Sequence, residues 1–131
     1  MNVKPYLHKV KYYECDRMGI THHSNYIRIM EEARVDLMDQ LGYGFERMEA
    51  DGVVSPVMNV NVCYKRPTTF QDEIEVSIEM VNLTTLKFSF AYTMRVKGTV
   101  VCVGESTHCL TENGKPVVLK KRYPQLFGAE E

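Results

Sequence analysis

The chain carries no excess of either charge sign, with 16 Lys and Arg residues against 17 Asp and Glu. That balance leaves no electrostatic footprint for nucleic acid and no acidic bias toward disorder. No apolar run approaches the length that spans a bilayer, and the opening Met-Asn-Val-Lys-Pro-Tyr lacks the apolar region of a signal peptide. Cys15, Cys63, Cys102 and Cys109 form no Cys-x-x-Cys pair and are too sparse for a disulfide framework. Reduced thiols, a cytoplasmic location, and no membrane or nucleic-acid partner are the expectation. No repeat, low-complexity segment or linker divides the 131 residues, and 44% hydrophobic content suffices for one core, so a single domain over 1–131 is expected.

What is present begins with an alternating segment. Over residues 6–14, His8, Val10 and Tyr12 fall on one side and Lys9, Lys11 and Tyr13 on the other, the period of a half-buried strand. The segment from Cys15 to His23 breaks that period, with Gly19 available for a turn. From about Asn25 the spacing becomes helical: Tyr26, Ile29, Met30, Ala33, Leu37 and Leu41 form a stripe, with Arg28, Glu32, Val35 and Asp39 off it. Ser24 or Asn25 is a capping residue by type, and Gly42 or Gly44 is the expected stop.

Alternation resumes over 53–65 through Met58, Val60, Val62 and Tyr64, with Pro56 at an edge or bend and Pro67 closing the strand. Three further strands follow, around Ile74–Met80, Leu86–Val96 and residues 99–111. Asn82–Thr85 and Lys97-Gly98 suit hairpins, and Asn113-Gly114 suits a turn before a short extension over 115–122. One long helix followed by an antiparallel meander is an α+β pattern in which the sheet wraps the helix. Apolar residues on both parities of the late strands predict two sticky faces, hence a homodimer, extending to a homotetramer.

The polar residues crowd into the strand-to-helix joint. Asp16 is a turn residue by its neighbours. That account comes first on the residues alone; the second is that, beside a dry pocket, it serves as general base or nucleophile, with the free N–H groups of the helix start stabilising an oxyanion. His22 and His23 are adjacent and point apart on extended chain, and no ligand-spacing motif supplies further donors, so no metal is expected. Glu31 and Arg34 have the spacing of an i,i+3 ion pair. Lys65 with Arg66, and Lys120, Lys121 and Arg122, are solvated clusters or landing places for phosphates.

The run from Tyr13 to Arg34, with Asp16, Gly19, His23, Asn25, Tyr26, Glu31, Ala33 and Arg34, resembles the 4-hydroxybenzoyl-CoA thioesterase-like family of hotdog-fold acyl-CoA thioesterases. Tyr64, Pro67 and Asp72 are a second match. The resemblance implies a hotdog fold, a five-stranded antiparallel sheet around one long central helix, with protomers pairing edge to edge and active sites at their interface. It implies an acyl-CoA substrate with a short-to-medium or aromatic acyl group and no cofactor. Asp16 takes the role of catalytic carboxylate and the His23 backbone N–H that of carbonyl polariser. His22, Asn25 and Tyr26 are implied to shape the pocket. Lys65 and Arg66, or the Lys120 cluster, are candidates for the nucleotide phosphates, and Glu31 is a reserve acid. Thr21 and Cys15 depart from the residues common in the family, which bears on pocket polarity. An enoyl-thioester hydratase or dehydratase, and a non-catalytic acyl-CoA-binding module, are the alternative readings.

Overall fold

A computed structural model describes residues 3–128. Its central element is the helix α1, Ser24–Gln40. The residues Tyr26, Ile29, Met30, Ala33, Leu37 and Met38 of α1 are buried, while Ile27 and Val35 stay exposed. Leu41 follows as the cap, and Gly42 takes φ +83, a left-handed value that lets the chain leave the helix without a Cβ penalty.

Five antiparallel strands wrap this helix: β1 (Tyr6–Lys9), β3 (Val57–Tyr64), β4 (Glu73–Val81), β5 (Lys87–Val96) and β6 (Thr99–Cys109), in the order β1-β4-β5-β6-β3. Phe88, Phe90, Tyr92 and Met94 of β5 all bury on the helix side, with Ile74 and Val76 of β4 beside them. Side chains of this size each contribute about 1.5–3 kcal/mol on full burial, so the inward parity of β4 and β5 with the α1 stripe is the main source of stability. Gly104 of β6 lies close against both the helix and the neighbouring strand. A Cβ there would stand 3.1 Å from both Met30 Sδ and the Asn61 carbonyl oxygen.

The segment expected as one strand over 53–65 is split at Pro56 into β2 (Val53–Val54) and β3. A small second sheet joins β2 to β7 (Thr111–Glu112) and β8 (Lys115–Pro116). Three short helices were not legible in the sequence pattern: α2 (Phe45–Ala50), α3 (Leu119–Arg122) and α4 (Pro124–Phe127). Their buried Met48, Leu119 and Phe127 close one end of the core, Phe127 lying 5.1 Å from the Phe88 ring.

Three local expectations are corrected. The first strand stops at Lys9, because Tyr12–Glu14 tightens into a 3-10 turn when the Glu14 carboxylate folds back to accept the Lys11 N–H at 2.8 Å. Neither Ser24 nor Asn25 caps α1. His23 occupies the cap position without a side-chain bond, and Asn25 is buried, its Nδ2 donating to the Glu14 carbonyl at 2.9 Å. Glu31 and Arg34 do not pair: the Arg34 guanidinium is buried and donates to Tyr92 Oη at 3.1 Å, since the helix turns it into the sheet rather than along its own surface.

The expectation of two sticky sheet faces, drawn from the late strands, is corrected on β5, whose outward parity is Lys87, Ser89, Ala91, Thr93 and Arg95, polar but for Ala91. The outward parity of β4 carries Glu73, Glu75, Ser77 and Glu79, all exposed, so that face is polar. The edge strand β3 exposes three apolar residues, Val57, Met58 and Val60.

Candidate active site

The strand-to-helix joint is built by backbone hydrogen bonds before any side chain acts. The Asp16 N–H donates to the Ile20 carbonyl at 2.9 Å and the Gly19 N–H to the Asp16 carbonyl at 2.9 Å, closing a tight loop. Within it, Asp16 Oδ1 accepts the Met18 N–H at 2.9 Å. Asp16 is therefore a turn residue in the ordinary sense. The bond occupies one carboxylate oxygen and fixes the group's orientation, and no protein partner among the described residues is recorded for the other oxygen.

Thr21 fastens the loop to the segment after β3. Its N–H donates to the Thr68 carbonyl at 2.8 Å, and the two Oγ1 atoms stand 2.6 Å apart in buried surroundings. Tyr26 Oη lies 2.8 Å from Thr68 Oγ1 and completes a hydroxyl cluster. The unusual polarity of Thr21 is thus satisfied inside the protein. This stitch carries Lys65, Arg66 and Pro67 across some fifty residues of sequence to the side of Asp16.

The result is an open pocket of about 410 Å³ lined by Asp16, Met18, Ile20, Thr21, His23, Tyr26, Tyr64, Lys65, Arg66 and Pro67. Of the residues singled out in the sequence, Asp16, His23, Tyr26, Lys65 and Arg66 meet there. His22 and Asn25 do not line it. The exposed His22 ring stacks on His23 at 4.3 Å between centroids, and its Nδ1 lies 2.9 Å from Ser24 Oγ. Asn25 is buried behind the loop. The Lys120 cluster lies elsewhere: Arg122 pairs with Glu112 at 3.2 Å and covers the Tyr123 ring, and Lys120 borders a separate depression with Leu83 and Thr84.

Tyr64 is a pocket residue that the sequence reading used only as a family match. Its ring meets Tyr26 edge-on at 5.3 Å, and its hydroxyl donates to the His23 carbonyl at 3.2 Å. Burial raises the pKa of Tyr64, as it does that of Tyr26, so both hydroxyls stay protonated. The position at the end of an alternating strand, just ahead of a proline, was the signal available for it.

The N-terminus of α1 opens onto this pocket. The N–H groups of Asn25 and Tyr26 are taken by the His22 and His23 carbonyls at 3.0 and 3.2 Å, and that of His22 by Glu14 at 2.8 Å. The His23 N–H has no acceptor among the described residues. A free donor at the positive end of a helix of 17 residues is a built-in partner for a developing negative oxygen. The site therefore offers an oriented carboxylate, an unpaired backbone donor, an aromatic wall and two cations at the rim. Among the described residues no three of His, Cys, Asp and Glu are grouped as metal ligands.

Comparison with known proteins adds four findings. Residues 10–122 match the model of the thioesterase-like superfamily. A Bacillus subtilis protein that carries a provisional acyl-CoA thioesterase name is 32% identical over 94% of this chain and 91% of its own. Among solved structures, one from Aquifex aeolicus superposes with a TM-score of 0.90 at 32% identity, covering 94% of this chain and 98% of that one. A Staphylococcus aureus DHNA-CoA thioesterase superposes with a TM-score of 0.87 at 27% identity, covering 94% and 85%.

Proposed function

The chain belongs to the thioesterase-like superfamily of hotdog-fold thioester hydrolases, and from that premise we propose that it hydrolyses short-to-medium or aromatic acyl-CoA thioesters to the free acid and CoA. The observation that carries the reading is that Asp16 and His23, whose N–H has no acceptor among the described residues, line one pocket. In this account the thioester carbonyl oxygen accepts the His23 N–H. Asp16 either attacks the carbonyl carbon, displacing the CoA thiolate and leaving an acyl–Asp16 anhydride that water then hydrolyses to the free acid, or takes the proton of a water that attacks the same carbon as the carbon–sulfur bond breaks. In both routes the proton given up by the water ends on the CoA sulfur. The donor is fixed before the reaction begins, so it strengthens as charge builds on the oxygen without reorganising.

Tyr26 and Tyr64 supply the wall against which the acyl group packs, and Lys65 and Arg66 at the rim meet the nucleotide phosphates of CoA. The protomer acts as part of a homodimer joined along β3, whose exposed Val57, Met58 and Val60 a second copy would cover. The location proposed is the cytoplasm, where the acyl-CoA pool and reduced thiols are found.

The test is a panel of aromatic, short, medium and long acyl-CoAs assayed by thiol release. Turnover of at least one class with stoichiometric free thiol is expected. Loss of enoyl absorbance without thiol, or tight binding of intact acyl-CoA with no hydrolysis over hours, would overturn the reading in favour of a hydratase or a binding module.

A further inference from the structure

Behind the pocket lies a buried polar cluster that the proposed chemistry does not use. His8 on β1 is 3% exposed, and both its ring nitrogens face carboxylates. Nε2 stands 2.9 Å from Glu14 Oε1, and Nδ1 stands 3.3 Å from Glu32 Oε1 on α1. Tyr6 Oη donates to the same Glu32 oxygen at 2.6 Å. Three elements, β1, the 3-10 turn and α1, are thereby tied at one imidazole.

Glu14 passes that tie on to the site. Its side chain is held by His8 and by the Lys11 N–H. Its backbone carbonyl accepts two donors from the helix start, the His22 N–H at 2.8 Å and Asn25 Nδ2 at 2.9 Å. Asp16 follows Glu14 by two residues, and the free donor at His23 follows His22 by one. Both ends of the 16–23 loop therefore hang from a single residue. A carbonyl with two charge-free donors is saturated, and a buried carboxylate with two donors is locked in one rotamer.

We infer that His8, Glu14 and Asn25 form a positioning clamp that sets the distance between the Asp16 carboxylate and the His23 N–H, with none of the three touching substrate. This rests on the assignment of those two groups as the reacting site. A displacement of about 1 Å between a nucleophile and its electrophilic partner costs on the order of a hundredfold in rate, while ground-state binding through the rim and the aromatic wall is untouched. The clamp thus acts on kcat and leaves KM nearly unchanged.

The test compares Glu14→Ala and Asn25→Ala, which cut the clamp at its two ends, with Glu14→Gln, which keeps its shape and hydrogen bonds. Turnover on the best substrate of the acyl-CoA panel is measured alongside amide hydrogen exchange of the full chain. Glu14→Ala and Asn25→Ala are expected to lose at least tenfold in kcat with KM within twofold. The amides of residues 15–24 should exchange at least tenfold faster while those of β4, β5 and β6 hold. Glu14→Gln should stay within threefold of the parent in both readouts. Should Glu14→Ala fail to fold, Asn25→Ala, which loses its bond to the Glu14 carbonyl and the one it accepts from Arg28 Nη1 on the helix surface, decides the matter. Loop exchange at the parent rate, loosening with kcat unchanged, or exchange that rises equally across the sheet would each overturn the clamp. A parent inactive on every acyl-CoA would refute the thioesterase reading instead, and loop exchange alone would then decide whether the clamp exists.

Discussion

Acidification should cost this protein stability through one buried imidazole. His108 on β6 is 2% exposed, stacks against Phe88 at 5.4 Å, and places Nε2 2.7 Å from Ser106 Oγ. Burial first, and the nearby Arg34 cation second, push its pKa down from the ordinary 6.5 to about 4. The folded value lies below the unfolded one, so the unfolded chain takes up the proton first. The stability is intact above pH 6.5 and is lost as pH falls from there toward 4. Between pH 7 and pH 5 the linkage relation gives a loss of about 2 kcal/mol, and the full shift corresponds to about 3.4 kcal/mol. For a domain of this size that is a fall in Tm of roughly 6–10 °C. Urea denaturation at the two pH values measures it, with His108→Gln as the reference that keeps a polar partner for Ser106 but cannot titrate. The parent should lose about 2 kcal/mol more than the variant. Glu14 does not confuse the comparison. Burial raises its pKa, but the Lys11 N–H and His8 outweigh burial and the net shift is downward from 4.5, so its contribution is lost only below the pH window used. Equal losses in parent and variant would refute the reasoning.

Three further outcomes follow from the geometry. Gly104→Ala forces a Cβ to 3.1 Å from Met30 Sδ and the Asn61 carbonyl oxygen, and should cost about 1–3 kcal/mol by chemical denaturation. Replacing Lys65 and Arg66 together by Ala should raise KM for an acyl-CoA about tenfold, roughly 1.4 kcal/mol, while leaving KM for the matching pantetheine thioester unchanged. For the proposed homodimer, Val60→Lys puts a charge on the exposed edge of β3 where the two copies would meet, and sedimentation equilibrium should show the variant as a monomer at concentrations where the parent associates.

The long helix was legible because its stripe is set by local spacing, and the hairpin at Lys97-Gly98 because turn chemistry is local too. The joint was legible only in outline. Glu14 looked like one more residue of an alternating strand, since nothing near it in sequence reveals that His8 will be buried opposite its carboxylate. Asn25 has the chemistry of a cap, but its Nδ2 donates to the Glu14 carbonyl and its Oδ1 accepts from Arg28 Nη1, which draws the side chain away from the N–H groups of the helix start. Glu31 and Arg34 have ion-pair spacing on an isolated helix, yet Tyr92 lies where the sheet closes over Arg34 and takes the guanidinium. For the pocket, spacing within 16–26 pointed to one wall. The opposite wall, Tyr64 through Pro67, depends on the Thr21 and Thr68 stitch, a long-range contact that nothing near either residue in sequence announces.

The proposed chemistry stands or falls on the Asp16 carboxylate. Asp16→Asn keeps an oxygen to accept the Met18 N–H, so the loop should hold, and Tm should stay within about 3 °C of the parent, less than about 1 kcal/mol. With an acyl-CoA that the parent hydrolyses, thiol release should fall by at least a hundredfold while binding of a non-hydrolysable thioether analogue stays within threefold. Turnover near the parent level in a folded Asp16→Asn protein would contradict the account.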